Sequence, residues 1–127
     1  MIILNVKKVF MTVYCIQEPP GTAQGMPKYN VMKALPFGEV EFLFSERAQL
    51  IYSAGSFIHS LRKKLEGYND EDYLLLVGDP AVIAVTTVVA SERNHGKFKL
   101  LKWDRMAGKY YPLSIDLYNK EKKEDDE

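Results

Sequence analysis

The stretch from Asp72 to Asn94, DYLLLVGDPAVIAVTTVVASERN, decides the fold of this 127-residue chain. It begins with a run of apolar residues that predicts a buried strand ending at Gly78. Asp79 follows with a carboxylate suited to cap the first turn of a helix, and Pro80 suits the first helical position, where no N–H is needed. The stretch therefore predicts a strand that turns directly into a helix.

The predicted helix is apolar around most of its circumference. Valine or isoleucine stands at five of its positions, namely Val82, Ile83, Val85, Val88 and Val89. A helix on the surface of a domain normally keeps one polar face, so this pattern predicts burial on more than one side. One side would lie against a sheet, and the other against either the proline-rich loop of this chain or a second copy of the protein.

The remaining segments complete an α/β pattern. Two strands are predicted at Val9–Ile16 and Glu39–Phe44, and the segment between them, to Gly38, contains four prolines and three glycines and predicts an irregular loop. A helix is expected from Ser53 or Ser56 to about Glu66, and a β-hairpin joins strands at Lys97–Trp103 and Tyr110–Leu117. This order predicts an α/β domain, with α+β as the alternative, containing a mixed sheet of about five strands, two helices and a C-terminal hairpin.

The composition limits the classes of function. Lysine plus arginine equals aspartate plus glutamate at 17 each, so no overall electrostatic field attracts nucleic acid or an anionic membrane. A local basic patch is still compatible with this balance. A lone cysteine, Cys15, excludes an intramolecular disulfide and any multi-cysteine zinc site, and it favours a reducing cytoplasmic setting. No apolar run approaches the ~20 residues of a membrane span. We expect a single domain over residues 11–118, with residues 1–10 as an extension and residues 119–127 as a charged disordered tail.

The strand-to-helix corner is the first candidate site. Ligands of open α/β sheets sit beyond the carboxyl ends of strands, which is where Gly78 and Asp79 fall. Glu18 follows the first strand, so it could meet Asp79 at the same edge and share a divalent cation, in an arrangement with some similarity to Toprim domains. Ala81 occupies the place of the second aspartate in that pattern. A helix cap therefore explains Asp79 more simply than catalysis does.

The C-terminal hairpin is the second candidate site. Basic and aromatic residues alternate along it, and the members predicted to form a partner or nucleic-acid surface are Lys99, Lys102, Trp103, Arg105 and Tyr110. Single-stranded nucleic acids bind to platforms of this composition. Lysines also protect the edge strand of a sheet, and cross-strand aromatic pairs stabilise one, so the pattern has a structural explanation as well.

Three segments resemble a group of small, functionally uncharacterised proteins of tailed bacteriophages. They are Val13–Pro19 (VYCIQEP), Asp72–Pro80 (DYLLLVGDP) and Gly96–Arg105 (GKFKLLKWDR), within a region of similarity from Met11 to Leu117. Chains of that group typically begin near the equivalent of Met11, which is the reason for treating residues 1–10 as an extension. The resemblance implies a phage-encoded accessory protein acting in the host cytoplasm, and it implies no activity.

No catalytic set, cofactor or metal site is predicted. The sequence favours a non-enzymatic phage accessory protein that acts by protein binding or oligomerisation, through the apolar second helix or an edge strand. Two alternatives remain: a nucleotide-binding or metal-dependent phosphoryl-transfer domain that uses Glu18 and Asp79, and a single-stranded nucleic-acid binder that uses the hairpin.

Overall fold

Five strands, two α-helices and one 3₁₀ helix make up the described part of the chain. The computed structural model describes residues 11–19, 31–45, 47 and 55–119. In chain order the elements are β1 (Thr12–Gln17), the 3₁₀ helix (Val31–Phe37), β2 (Glu39–Phe44), α1 (Gly55–Lys64), β3 (Tyr73–Leu75), α2 (Pro80–Arg93), β4 (Lys97–Asp104) and β5 (Lys109–Asp116).

The strands form one mixed sheet with the order β2-β1-β3-β4-β5. The first four strands in this order run parallel to one another. Strand β5 pairs antiparallel with β4 as the second arm of a hairpin. The order 2-1-3-4-5 is that of one kind of doubly wound α/β sheet, here with its last strand reversed. The predicted α/β class, five-stranded mixed sheet and C-terminal hairpin are confirmed. Pro112, which has no N–H to donate, lies in the edge strand β5.

Different elements cover the two faces of the sheet. Because side chains alternate along a strand, Val13 and Cys15 of β1 point to one face and Tyr14 points to the other. Val31 and Ala34 of the 3₁₀ helix pack on the first face, together with Leu75, Val77, Leu101 and Tyr110. The second face is covered by Leu61 of α1, by Leu65 directly after α1, and by Val89 and Ala90 of α2. We call these the 3₁₀ face and the helix face.

Helix α2 begins as its sequence predicts. The Asp79 carboxylate accepts hydrogen bonds from Ala81 N at 3.0 Å and Val82 N at 3.3 Å, and Pro80 is the first helical residue. At the other end, the Asn94 N–H donates to the carbonyls of Ala90 and Ser91. The cap and the proline thus account for where the helix begins, although its many β-branched residues are indifferent helix formers.

The loop prediction was wrong for Val31–Phe37, which forms the 3₁₀ helix. Val31 and Ala34 are buried three residues apart, and this spacing matches the three residues per turn of such a helix. Strand β3 is also shorter than its apolar run, because Val77 N donates to Leu75 O within a tight turn and leaves the ladder. The predicted N-terminal extension and most of the predicted tail lie outside the described residues.

Thr86 presents a testable defect in the packing of α2. Its side chain is fully buried, and Oγ1 has no hydrogen-bond partner among the described residues. Burying an unpaired hydroxyl is unfavourable, so we expect Thr86→Val to raise the free energy of unfolding by about 1 kcal/mol. Urea denaturation measures the change. Thr87→Val is the matched control, because Thr87 Oγ1 donates to Ile83 O at 2.9 Å and its loss brings no gain. A fall in stability for Thr86→Val would contradict the prediction.

Candidate functional site

The winding of the chain reverses between β1 and β3. The connection from β1 to β2 passes through the 3₁₀ helix on one face, whereas the connection from β3 to β4 passes through α2 on the other. In doubly wound sheets such a reversal opens a crevice beyond the carboxyl ends of the two strands, where ligands usually bind. The residues at this switch point are Gln17, Glu18, Gly78 and Asp79.

Gln17 closes this crevice with its own side chain. It is buried, its Oε1 accepts a hydrogen bond from Asp79 N at 2.8 Å, and its Nε2 donates to Ser45 O at 3.0 Å. Its backbone N–H donates to Val77 O. Gln17 therefore joins the ends of β2 and β3 and the start of α2 through its side chain and its backbone. The sequence offered one signal for this role, a glutamine ending an otherwise apolar strand.

The three candidate ligand-binding residues surround Gln17. Gly78 has φ +141°, and a Cβ there would lie 2.6 Å from Gln17 Cβ, so the glycine permits the close approach. Asp79 is exposed and serves as the helix cap. Glu18 is half-buried, and its N–H donates to Phe44 O at 2.8 Å, which places it at the carboxyl end of β1 beside β2.

The helix cap formed by Asp79 limits which ligands the strand-to-helix corner could bind. A phosphate at the start of α2 would need the N–H groups of Ala81 and Val82, and the Asp79 carboxylate already occupies both. In the described ranges, no group of three or more His, Cys, Asp or Glu side chains is placed to hold a metal ion. The geometry at the switch point is therefore that of a closed structural junction.

A groove runs between α1 and α2 on the outside of the helix face. Its volume is about 360 Å³, and its lining is apolar apart from one arginine and one glutamate: Ile58, Arg62, Ala84, Val85, Val88, Val89 and Glu92. Arg62 and Glu92 form a bidentate ion pair, with Nε to Oε1 at 3.1 Å and Nη2 to Oε2 at 3.0 Å. We call this the α1–α2 groove. Val88 within it is 67% exposed.

The hairpin residues divide between the two faces of the sheet. Trp103 and Tyr110 pair across the strands with ring centroids 4.8 Å apart, edge to face, on the 3₁₀ face. Lys102 is paired with Tyr111 on the helix face. The Lys99 ammonium lies 4.3 Å from the centroid of the ring of Tyr73, which packs on the 3₁₀ face. The structure thus brings Trp103 and Tyr110 together, and it does not gather the five predicted surface residues on one face.

The turn of the hairpin carries the remaining candidate, Arg105. It lies with Lys102, Trp103, Asp104, Met106 and Tyr111 around a concavity of about 460 Å³. We call these six residues the hairpin tip. Asp104 Oδ1 accepts the N–H groups of Met106 and Ala107 at 3.0 and 3.2 Å, which fixes the turn. Lys33 of the 3₁₀ helix donates to Gly108 O at 3.1 Å and ties the turn to the body of the domain.

A polar cavity of about 600 Å³ lies at the opposite end of the sheet from the switch point. Its groups bind one another. Tyr68, which is buried, accepts from Lys99 N at 3.2 Å, and Asn94 donates to Asp70 and to Lys97 O. Burial raises the pKa of Tyr68 to about 12, with nearby Asp72 and Asp70 adding to the shift, so the hydroxyl stays protonated. We interpret this end of the sheet as structural, because ligands of open α/β sheets bind beyond the carboxyl ends of the strands and not at their amino ends.

The thiol of Cys15 is unreactive. Burial raises the pKa of its thiol to about 12, and Sγ donates a hydrogen bond to Gln17 O at 3.4 Å. Since the thiolate is the reactive form, this cysteine is a packing residue.

Similarity to known proteins identifies the family of this chain. No curated protein and no solved structure matches it. No helix in the described ranges is long and apolar enough to cross a membrane. The family model described as Phage Pam3 gp32-like protein matches residues 11–117. This match confirms the resemblance to phage proteins, and the chain belongs to the Phage Pam3 gp32-like protein family.

Proposed function

We propose that this phage protein is a non-enzymatic accessory protein of the host cytoplasm that works by protein binding, and that it self-associates through the α1–α2 groove. The observation that carries the proposal is the exposure of apolar side chains along the groove, above all Val88. A helix that packs on a sheet normally presents polar side chains to water, so an apolar outer stripe indicates a partner.

Helix α2 has two apolar stripes, and its own sheet uses one of them. Val82, Thr86, Val89 and Ala90 are buried at helical spacing and face inward. Ala81, Ala84 and Val88 follow a second helical spacing, and all three are exposed, with Val85 half-buried beside them. The two alanines are small enough to let another helix approach closely. The second stripe therefore has the shape and the chemistry of a helix-packing surface.

A second copy of this chain suits the groove in its charge. Arg62 and Glu92 neutralise each other as an ion pair within the groove, so a second copy that docks there by a twofold axis meets no unpaired charge. The formal net charge of the chain is +0, so no long-range repulsion opposes association of two copies. The groove is small, and we expect a dissociation constant in the micromolar range of small interfaces.

Sedimentation velocity over a range of protein concentrations tests the proposal through Val88→Glu. We expect the wild-type sedimentation coefficient to rise with concentration and that of Val88→Glu to stay at the monomer value, because a buried unpaired carboxylate opposes association. Val88 is mostly exposed in one copy, so the substitution should change the free energy of unfolding by no more than about 0.5 kcal/mol.

Met106→Glu is the matched control. Met106 is 95% exposed in the hairpin turn, so this variant makes the same change of charge on an apolar side chain away from the groove. It should sediment like the wild type. A wild type that remains monomeric at all concentrations, or a Val88→Glu variant that associates as the wild type does, would refute self-association through this surface.

A further inference from the structure

The hairpin tip concentrates positive charge on a chain that is neutral overall. Lys102 and Arg105 belong to the tip, Lys109 begins β5 beside them, and Lys33 reaches the turn through Gly108 O. Asp104 is the one acidic residue among the six of the tip, and its Oδ1 is engaged by two turn N–H groups. This local excess of cations attracts an acidic partner.

Exposed apolar side chains accompany these charges. Met106 is 95% exposed and Trp103 is 39% exposed, and Tyr111 is exposed on the other face of the hairpin. Tryptophan, tyrosine, arginine and methionine are the residue types enriched in protein–protein interfaces, and the first three dominate their hot spots. The tip is also held in place by the Asp104 bonds and the Lys33 tether, so little ordering is needed on binding.

We propose that the hairpin tip binds an acidic segment of a partner protein. Lys102 and Arg105 pair with carboxylates of that segment, while Met106 and Trp103 contact its apolar side chains. This surface is separate from the α1–α2 groove, so the inference stands whether or not the protein self-associates.

The placement of the rings favours a protein segment over a nucleic acid. Successive bases of a single strand need exposed ring faces along one side of a surface. On the 3₁₀ face Tyr110 is only 7% exposed, and its ring meets the ring of Trp103 edge to face. Tyr111 lies on the opposite face. The tip therefore offers a single accessible ring to each side, which suits a partner that encloses the hairpin.

Trp103 reports on this surface because it is the single tryptophan of the chain. The experiment titrates the full chain with poly-L-glutamate, and in parallel with oligothymidylate, at low ionic strength and then in physiological salt. We expect poly-L-glutamate to change the Trp103 emission saturably, with an affinity that falls as salt is added. Oligothymidylate should bind more weakly.

Two double variants locate the binding. Lys102→Glu with Arg105→Glu should weaken poly-L-glutamate binding at least about tenfold. Lys63→Glu with Lys97→Glu makes the same change in net charge at exposed positions away from the tip and should leave the affinity within about twofold of the wild type. Far-UV circular dichroism checks that both variants fold.

Three results would overturn the proposal. One is an unchanged Trp103 emission with poly-L-glutamate at low ionic strength. Another is an equal loss of binding in the two double variants, which would make the attraction nonspecific. The third is tighter binding of oligothymidylate than of poly-L-glutamate, which would assign the tip to nucleic acid instead.

Discussion

Replacing Asp72 by alanine is expected to lower the free energy of unfolding by about 3 to 5 kcal/mol. Asp72 is fully buried just before β3, and its two carboxylate oxygens accept hydrogen bonds from Thr12 N at 3.0 Å and Asn69 N at 2.9 Å. Alanine leaves both N–H groups without that acceptor and opens a cavity. Thr12 begins β1 and Asn69 lies in the link from α1, so the carboxylate ties this link to β1, and its bond to Thr12 N spans 60 residues.

Urea denaturation of Asp72→Ala, Asp72→Asn and Asp70→Ala tests this account. Asparagine keeps the size of the side chain and one acceptor oxygen, so we expect its loss of stability to be intermediate. Asp70 is exposed and accepts one bond, from Asn94 Nδ2 at 2.8 Å, so Asp70→Ala should cost less than about 1 kcal/mol. Equal losses at positions 70 and 72 would show that burial of the carboxylate does not govern the effect.

The elements that the sequence predicted well are those that begin or end at a capping or turn residue. Helix α2 has the predicted N-cap at Asp79, and it ends at Arg93, one residue before the end of the stretch that predicted the helix. Strand β2 runs from Glu39 to Phe44 as predicted, directly after Gly38. At these places neighbouring residues supply the hydrogen bonds or the backbone conformation that begins or ends the element, so nearby sequence contains the information.

The elements that sequence missed depend on distant partners. The 3₁₀ helix lacks the wide apolar stripe of an α-helix, and it is held by packing of Val31 and Ala34 on the 3₁₀ face. The order of the strands, which brings β1 and β3 together at the switch point, likewise cannot be predicted from the local sequence pattern. Sequence predicted Glu18 and Asp79 at one edge of the sheet, but it could not show that Gln17 bonds to Asp79, because that bond spans 62 residues.

The candidate surfaces were foreseen to different degrees. The apolar circumference of α2 predicted a second covering surface, and the structure shows a groove beside an exposed Val88. The ion pair of Arg62 with Glu92 joins residues 30 apart and had no sequence signal. In the hairpin, alternation of basic and aromatic residues was clear, but register and strand twist decide which of them share a face. That division follows from Trp103 pairing with Tyr110 and Lys102 with Tyr111.

Replacing Gly78 by alanine is expected to lower the free energy of unfolding by about 3 kcal/mol or more, since a strained backbone and an overpacked core each cost about 1 to 3 kcal/mol. At φ +141° the backbone of Gly78 disfavours any other residue, and the added Cβ would lie 2.6 Å from Gln17 Cβ and 2.7 Å from Gln17 Oε1. The Gln17 Cβ belongs to the core strand β1 and cannot move aside as the end of a flexible side chain can.

Gly108→Ala is the control that lacks the packing contact. Gly108 also has a positive φ, +66°, but nothing lies within 4 Å of the place that an added Cβ would occupy, so this variant should lose only about 1 to 2 kcal/mol from backbone strain. Chemical denaturation of both variants gives the comparison, and the excess loss at position 78 reports the contact with Gln17 together with the greater backbone strain at φ +141°. Equal losses would mean that Gln17 yields, and the switch point would then have room for a ligand after all. A large excess would support a corner that is closed by its own packing, with the α1–α2 groove and the hairpin tip as the proposed partner surfaces.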